Sequence, residues 1–312
     1  MKPFRFGISV WHVASRAELA DKAKKVEALG YDTLSFPDHL NERIAPLPAL
    51  VAAAAATSRL RLGTNVLNNN LRHPVLVARE AAAVDLLTDG RLQLGLGAGS
   101  IKSEYDQAGL RFDTGRVRVE RLAEAVTVIK GLLRGEEVTF SGAHYQVAGH
   151  TIAPLPVQKP HPPILIGGNG PRLLALAARE ADIVGFSGIT FRNGGASSPD
   201  VSAWRAAAVD ERVRLVREAA GEDRFGRIEL NALVQRVIVT EDRHAAAAEL
   251  ARRWPQLSAD DILQTPYLLV GTVEQMAEDL EARRQRWGIS YHAVHEPYLD
   301  DFAPVVARLA GK

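Results

Sequence analysis

Short runs rich in leucine and β-branched residues alternate along the chain with longer stretches whose apolar positions recur every three or four residues. This βαβα rhythm predicts a parallel sheet with helices packed outside it. Residues 5–10 read as the first strand. Ser15 then offers a hydroxyl to cap a helix, with Glu18 three residues on to reach back as a capping box. Leu19, Ala23, Val26 and Leu29 form one apolar stripe that Gly30 ends. Residues 31–36 form a second strand, Pro48 opens a helix at its first position, and residues 60–64 form a third strand. Pro74 starts a helix that runs to Leu87, and residues 92–96 make a fourth strand.

A loop then runs to Asp113, and a long helix covers residues 117–133 approximately. Residues 137–153 alternate polar and β-forming positions around Ser141 and Gly142, which predicts an inserted hairpin ahead of a proline-rich connector. Residues 164–166, 182–186, 228–239 and 291–295 supply four more strands, each but the last followed by a helical pattern. Thr272 and Gln275 cap the final long helix. Eight such units predict an α/β fold of the TIM type, a single (β/α)8 barrel domain spanning residues 1–312 with insertions. A doubly wound sheet is the weaker alternative, because no early strand leads into G-x-G-x-x-G. The long loop 187–202 reads equally as a lid over substrate and as a surface insertion.

Charge narrows the partners. The chain carries 38 basic and 37 acidic residues, so no global field attracts nucleic acid or an anionic membrane. There is no cysteine, which excludes disulfides, a thiolate nucleophile and sulfur-ligated metals, and fits a cytoplasmic protein. The expected partner is a small-molecule substrate.

In a barrel of this type the chemistry sits at the strand C-terminal ends. Those ends hold Trp11 and His12; Asp38 and His39; Asn65 and Val66; Gly97, Ala98 and Gly99; Gly167, Gly168, Asn169 and Gly170; Ser187; Gln235; and His295 and Glu296. No H-x-H pair seeds a binuclear metal site and no lysine stands ready for a Schiff base. The two glycine segments permit close backbone approach, to a planar cofactor at the first and to a phosphate at the second, where Pro171 opens a helix. Each alone reads more readily as a tight barrel turn, and their pairing at successive strand ends favours the ligand-facing role. His39 is a candidate acid or base that its neighbour Asp38 could hold, or a plain loop histidine. Trp11 either stacks on substrate or fills the barrel mouth.

Several segments in fixed order extend the picture: Ala28-Leu29-Gly30-Tyr31-Asp32 leading into Pro37-Asp38-His39, Leu62-Gly63-Thr64-Asn65-Val66, Leu94 to Gly99, Glu104-Tyr105 with Gly109 and Phe112, and Pro163 to Gly168. Together they resemble the bacterial luciferase-like oxidoreductases, and within these the branch that uses coenzyme F420. The resemblance covers nearly the whole chain. It implies a TIM-like barrel, a homodimer, and a deazaflavin ring bound at the strand ends. It also implies a catalytic role for His39, with Glu104 as a second candidate that more often organises its loop. Asp38, Asn65, Val66, Gly97 to Gly99 and Gly167 to Gly170 become cofactor-binding candidates, with a cis peptide expected at Asn65-Val66. Trp11, His12, Ser100, His295 and Glu296 are left to face substrate.

Sugar-phosphate dehydrogenases of that family carry a glutamate directly after the first glycine segment, and this chain has Ser100 there, which argues against glucose 6-phosphate. The expected reaction is hydride transfer between C5 of F420 and a small organic molecule, with reduction of an activated C=C or C=N bond preferred. An FMN-dependent monooxygenase and a non-catalytic cofactor-binding protein are the alternatives. Arg172, Arg192, Lys102 and Arg224 could form a basic stripe beside the phosphate site that would favour F420 over FMN.

Overall fold

Along the first strand, β1 (Arg5–Ser9), successive side chains face opposite ways. Phe6 packs edge-on against Phe302 on the outside, with ring centroids 5.4 Å apart. Arg5 lies inside, its guanidinium 4.6 Å from the centre of the Tyr291 ring. Seven further strands follow: β2 (Thr33–Phe36), β3 (Arg61–Thr64), β4 (Leu92–Gly97), β5 (Ile164–Gly167), β6 (Ile183–Phe186), β7 (Glu229–Val234) and β8 (Ile289–His295). The computed structural model describes residues 1–41, 44–188, 190–191 and 199–312. In it each strand pairs in parallel with the next, and β8 pairs with β1. This is the closed (β/α)8 barrel that the rhythm of the sequence predicts.

A principal helix follows each strand: α1 (Arg16–Ala28), α2 (Pro46–Ala54), α3 (Pro74–Leu87), α4 (Gly115–Leu133), α5 (Pro171–Glu180), α6 (Ala206–Ala220), α7 (Val273–Trp287) and α8 (Leu299–Leu309), with further helices in the connections, among them Arg243–Arg253 and Ala259–Gln264. Among the described residues no helix is long and apolar enough to cross a membrane. The expected hairpin forms from Val138–Ser141 and Gln146–His150.

Details differ from the sequence reading where tertiary contacts decide. The run 228–239 is two strands: β7 ends at Val234, the Gln235 amide donates to the Tyr267 carbonyl at 2.7 Å, and Arg236–Val239 pairs with Leu268–Gly271 outside the barrel. Nothing in the unbroken β-forming composition marks that bend. A helix does follow the last strand, and the expected loop after β4 contains a short helix, Lys102–Gln107. Helix α2 starts at Pro46 rather than Pro48. Ser15 caps α1 as expected, but Glu18 reaches past it to the Ala14 amide, at 2.8 Å. Half of the loop 187–202, residues 189 and 192–198, lies outside the described residues.

The two ends of the barrel differ in kind. At the strand N-termini Arg5 donates to Asp32 at 2.9 Å and to Glu229 at 2.6 Å, which plugs the floor with charge. At the other end small residues leave room. Gly95 is forced by the neighbouring strand, since a Cβ there would stand 1.9 Å from the Thr64 carbonyl oxygen. Gly95→Ala is accordingly expected to lose about 3 kcal/mol of stability through overpacking, read as a lower denaturant midpoint at unchanged slope; an unchanged midpoint would refute the assignment.

Candidate active site

The strand C-termini surround a cavity of about 370 Å³, within the range of small-molecule sites, roughly 300–1,000 Å³. Its walls bring together Trp11, Asp38, His39, Asn65, Val66, Gly97, Ala98, Gly99, Ser100, Glu104, Gly167, Gly168 and His295 from the sequence candidates. The remaining four candidates do not line it. Lys22 draws His12 and Glu296 to the outer rim, donating to the His12 carbonyl at 2.9 Å and pairing with the Glu296 carboxylate. Asn169 ties two strand ends together, its amide donating to Ser187 Oγ at 2.9 Å, and Gly170 is the N-cap residue of α5.

At the centre of the site Glu104 holds His39. Its Oε1 lies 2.8 Å from His39 Nδ1, and its Oε2 accepts from the Leu40 amide at 3.3 Å. The Glu104 side chain is 3% exposed and that of His39 32%. A buried carboxylate on Nδ1 fixes the tautomer with the proton there and leaves Nε2 as the nitrogen available to a bound molecule. The acid that holds His39 is therefore Glu104, 65 residues on, and not its neighbour Asp38. Asp38 turns away, taking both guanidinium nitrogens of Arg72 and the Asn68 amide, at 2.9 Å.

The glycine wall has a structural basis that its composition alone does not reveal. The Asn65-Val66 peptide is cis, as the resemblance implies, and Val66 lies where a Cβ on Gly97 would come within 2.4 Å of its side chain. Gly99 adopts φ +74°, and a Cβ there would stand 2.1 Å from Tyr105 Oη. That hydroxyl donates to Asn68 Oδ1 at 2.8 Å, and the Asn70 amide donates to the Ala98 carbonyl at 2.8 Å. The segment is thus held flat by polar contacts behind it, with bare backbone toward the cavity. The same backbone fits a planar ring.

Sequence reasoning missed Asn68 and Arg72, whose roles depend on partners 30 and 34 residues away. It also missed the apolar Leu173 and Leu233. Of the basic stripe, Arg224 is spent on the Ala178 and Ala181 carbonyls at the end of α5 and Lys102 pairs with Asp106, whereas Arg172 is exposed in the first turn of α5 and Arg192 lies outside the described residues.

Comparison with known proteins gives the following. The family model described as luciferase-like monooxygenase matches residues 4–291. A Microbacterium testaceum protein named F420-dependent glucose-6-phosphate dehydrogenase is 38% identical over 173 residues, 53% of this chain and 51%, about half, of that relative's length. The Beutenbergia cavernae protein of the same name is 30% identical over 274 residues, 85% of this chain and 77% of the relative. Among solved structures, the coenzyme F420-dependent tetrahydromethanopterin reductase of Methanopyrus kandleri has a TM-score of 0.76 at 18% identity, covering 99% of this chain and 98% of that one. That likeness is one of fold.

Proposed function

The chain belongs to the luciferase-like monooxygenase family, and we propose that it is an oxidoreductase dependent on coenzyme F420 that reduces an activated C=C or C=N bond of a small organic molecule. The observation that carries the reading is the buried Glu104 carboxylate on His39 Nδ1 beside a wall of bare glycine backbone. The names of the relatives support F420 in particular. When bound, F420 supplies a hydride donor or acceptor at C5 of its deazaflavin ring.

The protein's own contribution is holding, aligning and moving a proton. Gly97 to Gly99 with Gly167 and Gly168 would receive the ring against the backbone, and the unpaired amides at the start of α5 would meet a phosphate. Both features suit the cofactor in shape and charge. His39, its Nδ1 fixed by Glu104, exchanges a proton with the substrate at Nε2. Leu173, Leu233 and Ile101 add apolar surface to the wall and limit water at the reacting atoms.

Titration of the purified protein with oxidised F420 and, separately, with FMN tests this reading through quenching of F420 or FMN fluorescence. Micromolar F420 affinity without FMN binding is the expected result. Tight FMN binding alone would overturn it in favour of oxygen-dependent chemistry. Binding of both without turnover of any alkene, imine or alcohol would leave a cofactor-binding protein.

The homodimer that the family resemblance implies belongs to the same proposal. Its support here is the exposure of Leu76, Leu86 and Leu87 on one helix, α3, at 48%, 45% and 62%. Light scattering coupled to gel filtration is expected to give twice the 33.9 kDa chain mass, and a monomer across the micromolar range would refute it.

A further inference from the structure

The glycine wall cannot orient itself. Ala98 stands between Gly97 and Gly99, all three line the cavity, and Gly99 already sits at φ +74°. Glycines on both sides leave the Ala98 carbonyl free to turn unless something else holds it. Asn70 holds it from behind. Its side-chain amide donates to the Ala98 carbonyl at 2.8 Å and to Tyr105 Oη at 3.1 Å.

An asparagine amide has two ends of nearly the same shape and opposite chemistry, so a further contact must decide which end faces the wall. Arg121 decides it. From α4, 51 residues further along the chain, its guanidinium donates to Asn70 Oδ1 at 2.9 Å. A guanidinium can only donate and a backbone carbonyl can only accept. The amide therefore turns Oδ1 to Arg121 and Nδ2 to Ala98. The reverse setting would put donor against donor at one end and acceptor against acceptor at the other. Arg121 is held in turn, donating at 2.6 Å to Asp113, whose side chain is 6% exposed.

The same direction runs on toward His39 and Glu104. Having accepted from Asn70, the Tyr105 hydroxyl gives its own proton to Asn68 Oδ1 at 2.8 Å, and the Asn68 backbone N–H goes to Asp38 at 2.9 Å. Tyr105 is buried next to Glu104 on the short helix that carries that carboxylate to His39. One chain of bonds, with every donor facing an acceptor, thus links Asp113 and Arg121 to the Ala98 carbonyl and to the seat of Glu104.

We propose that Arg121 is a positioning residue for the cofactor: from an outer cleft that it shares with Asn70 and Asp113, it sets the orientation of Asn70 and, through Asn70, the backbone surface that receives the ring. This rests on the F420 reading above.

The test is a fluorescence titration with F420 of the wild type, Arg121→Met, Asn70→Ala and the double variant, with a urea midpoint recorded for each. Each single change is expected to weaken F420 about tenfold. The double change is also expected to cost about tenfold, because Arg121 acts through Asn70. Arg121→Lys, which keeps a donor for Asn70 Oδ1, should stay within about threefold of the wild type. Asn70→Asp still accepts from Arg121 but offers no N–H to the Ala98 carbonyl, so it should weaken F420 at least about tenfold, and it decides the matter if Arg121→Met does not fold. A purely structural role would lower the urea midpoint and leave F420 affinity as it is, and that result in Arg121→Met or Asn70→Asp overturns the proposal. So does Arg121→Lys binding as weakly as Arg121→Met, or a loss of about a hundredfold in the double variant, which would mean that Arg121 acts independently of Asn70. A wild type that binds no F420 instead removes the F420 reading itself.

Discussion

Replacing His39 by alanine is expected to lower kcat by a factor of about 10²–10⁴, the usual contribution of a positioned acid or base. The F420 dissociation constant should stay within about threefold, because the proposed ring contacts come from glycine backbone on other strands. Glu104→Gln is the sharper variant. The amide can still accept from His39 Nδ1, but it carries no charge, and it must turn an N–H toward either that nitrogen or the Leu40 amide, where Glu104 now accepts at 2.8 Å and 3.3 Å. One of those contacts then sets donor against donor. A smaller fall in kcat, about 10–100-fold, with little change in KM is the expected pattern for a positioning residue. Full activity of Glu104→Gln would show that His39 needs no partner, and full activity of His39→Ala would remove it from the chemistry.

The two variants also mark the boundary of what the chain reveals without its coordinates. Every barrel strand was legible, because a strand buried on both faces is a short apolar run wherever it occurs. The hairpin and the helix starts at Pro74 and Pro171 were legible for a similarly local reason, since their signals lie within a few residues. The partner of His39 was not. Asp38 is adjacent in sequence and Glu104 is 65 residues on, yet the short helix Lys102–Gln107 brings the second carboxylate to the imidazole while Arg72 claims the first. The glycines show a different failure. Their segment was marked as a place of close backbone approach, but Gly95 and Gly97 answer first to the Thr64 carbonyl and the Val66 side chain, and only Gly97 of the two lines the cavity. Gln235 was marked as a strand end, but the bend it occupies was not, because a polar residue inside a β-forming run carries no mark of a change of sheet.

His292→Leu is expected to make the protein less sensitive to acid. His292 sits on the outer face of β8, fully buried, 6.1 Å from the Phe4 ring and 6.2 Å from the Phe6 ring by centroids. Neither ring nitrogen has a hydrogen-bond partner among the described residues. Burial, reinforced by the charges of Arg283 and Arg284 and only partly offset by the Ile289 backbone, drives its pKa from 6.5 down to about 3. The native state thus keeps the ring neutral while the unfolded chain protonates it. Stability from this group is complete above pH 6.5 and is lost progressively as the pH falls toward 3, because below 6.5 the unfolded state binds the extra proton. At about 1.4 kcal/mol for each pH unit, the full window is worth about 5 kcal/mol, and the part between pH 6.5 and pH 5 about 2 kcal/mol. Leucine is close to histidine in volume and needs no hydrogen bond in this site. Urea unfolding at pH 7.5 and pH 5.0 should therefore show the wild type losing about 2 kcal/mol more than the variant on acidification. Parallel losses in the two proteins would mean that the imidazole finds a partner for its proton inside the fold, and that the acid sensitivity lies elsewhere.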